Sequence, residues 1–248
     1  RWMLDAHIVP SLRRGKPISV KWLKVFGLPE SRIDYLLKDS DLPGIRIGFY
    51  PHFPEVHLKL IASGKNGPQL LRRAEKTVRK LLDPHIFGID DDSMEGIVGR
   101  LLLKKGATMA VAESCTGGLV FHMLTRIPGS SRYMERGFIC YSDRSKIELL
   151  GVKKATLKKY GAVSEKAALE MARGARRHAG TTYGLSITGI AGPAGGTRKK
   201  PVGTVYLAIS GPDGDNVFRL IYPGSRELIA LIASEAALDL ARRRLIGS

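Results

Sequence analysis

The sequence predicts an α/β protein, a small α+β module followed by a larger domain with a three-layer α/β/α arrangement on a mixed sheet. Two observations carry this. From Ala107 onward, strand-like runs alternate with helix-like runs to the end of the chain. Ahead of them, residues 18–82 read strand, helix, strand, strand, helix, and the acidic, turn-rich stretch Gly88-Ile89-Asp90-Asp91-Asp92-Ser93 separates the two patterns. The 248 residues suffice for one large domain or two modest ones. We expect a leading helix or linker over residues 1–17, the small module over 18–89 and the large domain over 90–248, its first helix at 93–105.

Residues 1–16 read as a short helix closed by Pro10 and followed by the basic turn Arg13-Arg14-Gly15-Lys16-Pro17. Ile18 to Phe26 has strand character, and Gly27-Leu28-Pro29-Glu30-Ser31 turns into a helix through Lys38. Strands are expected at Arg46–Tyr50 and at Glu55–Ala62, the second alternating cleanly between apolar and polar residues. Ser63-Gly64-Lys65-Asn66-Gly67-Pro68 then leads into a basic helix, Gln69 to Leu82, broken by Asp83-Pro84. In the larger domain a helix from Met94 to Lys105 stops at Gly106. Strands follow at Ala107–Ala112, Gly137–Tyr141, Gly184–Thr188, Thr204–Ser210 and Val217–Tyr222. Helices fall at Gly117–Thr125, Ser145–Leu150, Ser164–Ala179 and Arg226–Leu245. Gly211-Pro212-Asp213-Gly214-Asp215 joins the last two strands as a hairpin.

A hydrophobic content of 44% and a charged content of 25% are ordinary for a water-soluble fold. No apolar run approaches the roughly 18 residues of a spanning helix. The first residues lack the apolar core and cleavage site of a signal peptide, and a start at Arg1 rather than Met reads as a fragment or a processed chain. The only cysteines, Cys115 and Cys140, form no secreted disulfide framework, so a reducing cytoplasm is expected. The formal charge is +17, from 40 Lys+Arg and 23 Asp+Glu. That excess allows a nucleic-acid partner, yet the basic residues are scattered over helices and helix ends, where solvation and dipole compensation account for them. Charge favours a phosphorylated small substrate slightly. The six histidines show no metal spacing, and Asp90-Asp91-Asp92 lacks the pattern of a calcium loop, so neither metal nor cofactor is expected.

Ligands of open α/β sheets bind beyond the carboxyl ends of the strands. Three segments here leave strands with reactive or glycine-rich residues. The first is Glu113-Ser114-Cys115-Thr116-Gly117-Gly118, where a strand ends and a helix begins. Taken alone it is a Ser/Thr cap beside glycines that let the helix pack closely; its unpaired N–H groups equally suit an anion or oxyanion. The second is Tyr141-Ser142-Asp143-Arg144-Ser145-Lys146, with a lysine in the first helical turn, unfavourable against the dipole. At the surface such a lysine is tolerated; in a desolvated pocket its pKa falls and it becomes a base for a serine hydroxyl. The third is Thr188-Gly189-Ile190-Ala191-Gly192-Pro193-Ala194-Gly195-Gly196-Thr197, which lacks dinucleotide and Walker spacing but offers a nest of N–H groups for phosphate. Arg226, at the start of the last helix, adds a guanidinium suited to phosphate or a solvent-facing side chain. If the strands are parallel, all three loops share one sheet edge.

Ala112-Glu113-Ser114-Cys115-Thr116-Gly117-Gly118, Pro128-Gly129-Ser130-Ser131, Tyr141-Ser142 with Lys146, Leu150-Gly151-Val152, Tyr160-Gly161-Ala162-Val163-Ser164, Thr188-Gly189-Ile190-Ala191-Gly192-Pro193 and Lys200-Pro201-Val202-Gly203-Thr204-Val205-Tyr206 occur in this order. Together they resemble the competence/damage-inducible family known as CinA, in its C-terminal nicotinamide-nucleotide amidohydrolase domain. The match runs from about Ser93 to the C-terminus. Lys24-Val25-Phe26-Gly27-Leu28-Pro29-Glu30-Ser31 and Phe87-Gly88-Ile89-Asp90-Asp91 are similar to the family's KH-like middle module. Long members add an N-terminal molybdopterin-binding-like domain linked to ADP-ribose pyrophosphatase activity. Residues 1–14 resemble at most its last helix, so neither that activity nor its metal is carried over.

The resemblance implies hydrolysis of nicotinamide mononucleotide to nicotinate mononucleotide and ammonia, a pyridine-nucleotide salvage step, by a homodimer. It places the nucleophile on Ser114, the base on Lys146, and substrate or catalytic roles on Tyr141, Thr188 and Arg226. Glu113, Cys115, Thr116, Gly117, Gly189, Gly192 and Arg226 are the candidate substrate- and phosphate-binding residues. Cys115 is a rival nucleophile. A competing expectation is nucleic-acid binding through the basic module, in which Gly64-Lys65-Asn66-Gly67 spells the G-x-x-G of a KH domain. It falls between a strand and a helix, whereas a KH loop joins two helices. A spacer or dimerisation element is the third expectation for that module.

Overall fold

The computed structural model describes residues 16–247. The leading helix expected before Lys16 lies outside the described residues. The chain divides into two units, the break falling between Asp92 and Ser93.

In the first unit the elements run β1 (Ile18–Phe26), α1 (Glu30–Leu37), β2 (Ile45–His52), β3 (Glu55–Ser63), α2 (Gly67–Leu82) and β4 (Ile86–Ile89). The strands form an antiparallel sheet in the order β2-β3-β1-β4. Strict alternation in β3 turns Val56, Leu58, Leu60 and Ala62 inward, where they meet Leu71, Ala74, Val78 and Leu82 along one face of α2. The strand β4 adds to the expected order; its four residues are too few for alternation to be read. Gly64-Lys65-Asn66-Gly67 lies between β3 and α2. Gly64 turns the chain there at φ +97°, and a Cβ on Gly67 would stand 2.7 Å from the Ser19 hydroxyl. Both glycines therefore answer to the local backbone and packing.

The second unit opens with α3 (Met94–Lys105), capped where the Ser93 hydroxyl accepts from the Gly96 amide at 3.2 Å. Then come β5 (Met109–Glu113), α4 (Leu119–Thr125), a 3-10 turn at Ser130–Arg132, β6 (Met134–Ile139), α5 (Asp143–Leu150), α6 (Lys154–Tyr160) and α7 (Glu165–Ala179). The strands β7 (Tyr183–Gly189), β8 (Thr204–Gly211) and β9 (Gly214–Ile221) precede α8 (Arg226–Ile246). The sheet order is β6-β5-β7-β8-β9, parallel across β6, β5 and β7 and antiparallel through β8 and β9. One helical layer holds α5, α6 and α7, the other α3, α4 and α8. This is the expected mixed three-layer α/β/α architecture, which follows a small α+β region in the chain. Because β5, β6 and β7 are parallel, their carboxyl ends open on one edge.

Helix α7 approaches its neighbours unusually closely. A Cβ on Gly174 would stand 2.1 Å from the Leu150 carbonyl oxygen at the end of α5. The missing side chain lets α5 lie against α7, and Leu150, Met171 and Ala175 share the core with Ala110 and Ala112 of β5. Helix α6 was not expected. Its first turn is held by Glu170 of α7, whose carboxylate accepts from the Lys153 amide at 2.8 Å and the Thr156 hydroxyl at 2.7 Å. Among the described residues, no helix is long and apolar enough to cross a membrane.

Candidate active site

Strand β5 runs one residue further than its apolar pattern indicates, which buries Glu113 at its end. The carboxylate turns toward α4 and accepts from the amides of Gly118 at 3.0 Å, Val120 at 3.1 Å and Phe121 at 2.8 Å. Glu113 therefore takes up the N–H groups at the start of α4 and meets its positive end with negative charge. The helix start that the sequence offered as an oxyanion site is occupied by the protein's own anion. The amides left over precede it. Among the described residues, those of Cys115 and Thr116 donate to no carbonyl or carboxylate. Ser114 is fixed by its backbone amide, which donates to the Ile187 carbonyl of β7 at 3.0 Å.

Lys146 reaches Ser114 from α5. A reciprocal capping box between Ser142 and Ser145 starts that helix, and the Lys146 side chain leaves its first turn with only 1% of its surface exposed. Its Nζ donates to the Cys140 carbonyl at 2.7 Å and the Tyr141 carbonyl at 3.1 Å, and lies 3.1 Å from Ser114 Oγ. Burial pulls the Lys146 pKa below the ordinary lysine value, opposed by the Asp143 carboxylate and the nearby thiols. Among the described residues no carboxylate forms an ion pair with Nζ. Two carbonyls can hold the two hydrogens of a neutral amine, which leaves its lone pair facing the serine hydroxyl.

The two thiols differ from this. Burial pushes Cys115 up to about 12, with the Glu113 carboxylate adding to the rise. Burial also pushes Cys140 up to about 11, although Lys146 opposes it. Near neutral pH both therefore remain protonated, and a thiol is a far weaker nucleophile than its thiolate.

Ser114, Cys115, Tyr141, Lys146, Thr188, Gly189, Gly192 and Arg226 line one cavity of about 280 Å³ at the carboxyl edge of the parallel strands. Its size is close to the low end of small-molecule sites, about 300–1,000 Å³. Thr188 is buried, and its hydroxyl donates to the Ala162 carbonyl at 3.0 Å. Arg226 stands at the mouth, its guanidinium donating to the Gly192 carbonyl and lying 3.5 Å from the Tyr141 hydroxyl. Tyr141, 67% exposed, lies beyond the end of β6 rather than within it.

Glu113, Thr116 and Gly117 do not line the cavity. Glu113 serves α4, and among the described residues the buried Thr116 hydroxyl has no hydrogen-bond partner. The cavity adds wall residues that carried no assigned role, above all Ala162, Val163 and Ile190. Ala162 and Val163 belong to the Tyr160-Gly161-Ala162-Val163-Ser164 motif, a turn directly ahead of the Ser164 cap of α7, and Ile190 to the glycine loop. Among the described residues no group of three or more His, Cys, Asp or Glu side chains could hold a metal.

The model for the CinA C-terminal domain matches residues 91–245, and that for the damage-inducible protein CinA KH domain matches residues 20–88. A CinA-like protein of Syntrophotalea carbinolica is 44% identical over 98% of this chain and 60% of its own length. A putative competence-damage inducible protein of Caldanaerobacter subterraneus is 40% identical over 99% of this chain and 61% of its own. The chain thus spans about 60% of the length of these curated relatives. Among solved structures, the competence/damage inducible protein CihA from Agrobacterium tumefaciens is 39% identical with a TM-score of 0.55, over 59% of this chain and 92% of that one. A CinA superfamily protein from Klebsiella pneumoniae is 29% identical with a TM-score of 0.60, over 63% of this chain and all of its own.

Proposed function

We propose that this chain, which belongs to the CinA family, hydrolyses the carboxamide of nicotinamide mononucleotide, releasing ammonia and nicotinate mononucleotide. The observation that carries the reading is the buried Lys146 amine 3.1 Å from Ser114 Oγ, its other two hydrogen bonds held by carbonyls. A lysine with a lowered pKa and no ion-pair partner is suited to general base work on a serine.

In this mechanism Ser114 Oγ attacks the carboxamide carbon while Lys146 Nζ takes the hydroxyl proton. The C–O bond forms as the carbonyl π pair moves onto oxygen, and the amide of the cavity-lining Cys115 donates to the resulting oxyanion. Lys146 then gives its proton to the leaving nitrogen as the C–N bond breaks, and ammonia departs. Water, deprotonated by Lys146, attacks the acyl-enzyme; the ester C–O bond breaks and Ser114 recovers its proton. Arg226 and the glycine loop hold the 5′-phosphate, and the apolar Ala162 and Val163 wall faces the ring. The protonated state of Cys115 favours Ser114 as the nucleophile.

The test is ammonia release from nicotinamide mononucleotide compared with nicotinamide riboside and free nicotinamide. The nucleotide is expected to be preferred by at least about a hundredfold in kcat/KM, because the riboside lacks the charge that Arg226 binds. Equal turnover of nucleotide and riboside would remove the phosphate role, and no turnover of any would remove the amidase reading.

A further inference from the structure

Two walls of the cavity come from segments far apart in sequence, the turn Gly161–Val163 between α6 and α7 and the glycine loop 189–197. Among the described residues they share no backbone–backbone hydrogen bond. What joins them is mainly one ammonium group. Lys200 Nζ donates to the Tyr160 carbonyl at 2.8 Å and the Val163 carbonyl at 2.7 Å, bracketing the turn from both sides. A Cβ on Gly161 would stand 3.7 Å from this nitrogen.

Lys200 is itself held in place. The Thr197 amide donates to the Lys200 carbonyl at 2.8 Å, and the Lys200 amide donates to the Thr197 hydroxyl at 3.1 Å, closing a turn at the end of the glycine loop. The Ala162 carbonyl, between the two carbonyls that Lys200 holds, accepts from Thr188 inside the cavity. Displacing the turn therefore moves Ala162 and Val163 and removes the partner of Thr188. Lys200 is half-buried and does not line the cavity.

We propose that Lys200 is a positioning residue, a cationic clamp that sets the width of the substrate cavity by tying the Gly161–Val163 turn to the end of the glycine loop. This rests on the amidase reading of the cavity. The clamp acts on the binding wall and leaves the Ser114–Lys146 pair untouched, so its loss weakens substrate binding more than chemistry.

The test is Lys200→Met, which keeps an unbranched chain and removes the cation, with Lys200→Arg as the conservative variant. We expect Lys200→Met to raise KM for nicotinamide mononucleotide about tenfold with kcat within about twofold, and Lys200→Arg to recover most of the loss. In the unliganded protein, exchange of the Gly161 amide, which donates to the Leu157 carbonyl at 2.9 Å, is expected to accelerate about tenfold in Lys200→Met while the β5 amides stay as protected as before. Unchanged KM together with unchanged exchange overturns the clamp, as does a fall in protection across the whole second unit. If the wild-type chain turns over no mononucleotide, the amidase reading fails. Exchange confined to the turn then still decides for the clamp, and its absence against it.

Discussion

At the residue scale, the site turns on which atoms are free. Ser114 has the Lys146 amine within hydrogen-bond distance, whereas Cys115 has burial and the Glu113 carboxylate holding its proton on. Ser114→Ala and Lys146→Met are each expected to lower kcat about a thousandfold or more, since each removes one half of a unit that acts together. Cys115→Ser is expected to keep kcat within about threefold. A rate that follows Cys115 instead of Ser114 would reverse the assignment. The lysine also sets the pH dependence. It must be neutral to accept the serine proton, so kcat/KM rises with pH through a pKa below the 10.5 of an ordinary lysine. Between those two values the unfolded chain binds the extra proton, so stability rises with pH across that window. Lys146→Met should flatten that part of the stability profile, read from melting temperatures across the pH series.

At the scale of the element, local rules located most helices and failed where a cap comes from far away. Ser93, Ser142 and Ser164 cap their own helices within three residues, and those starts are readable. Helix α6 takes its cap from Glu170, beyond it in sequence, so nothing local marks its beginning. Helix α4 is satisfied by Glu113 of the preceding strand, which reads from sequence as a site residue because carboxylates near a serine so often are. The Ser114, Lys146 and Thr188 convergence was legible because it needs only the order of parallel strands. The Ala162 and Val163 wall was not, because short apolar residues in a turn carry no chemistry of their own. Gly174→Ala tests how packing serves the site. The substitution gains about 1 kcal/mol in helix propensity, but a Cβ 2.1 Å from the Leu150 carbonyl forces a shift costing about 1–3 kcal/mol. The clash is with backbone, so the cost should win. Chemical denaturation is expected to show a less stable protein, and kcat to fall as α5 carries Lys146 away from Ser114. A variant more stable than wild type would mean that α5 tolerates displacement.

At the scale of the molecule, the residues behind the net charge of +17 are scattered along the chain, and the G-x-x-G spelling in the first unit resolves into a strand–helix turn. Every cavity residue, from Ser114 to Arg226, lies in the second unit. That unit has its own sheet and two helical layers, with cores built from its own residues such as Ala110, Leu150 and Met171. The Klebsiella pneumoniae superfamily protein is matched over its whole length by only 63% of this chain, so a protein of about that size folds without the remainder. Residues 93–248 alone are therefore expected to fold cooperatively and to retain kcat/KM for the mononucleotide within about threefold of the 248-residue chain. The measurement pairs a thermal melt with the ammonia assay on both proteins. A folded fragment with activity reduced a hundredfold would show that the first unit shapes the site from outside it. Retained activity would leave the first unit to a separate role, which its own sheet, core and turn geometry must then define.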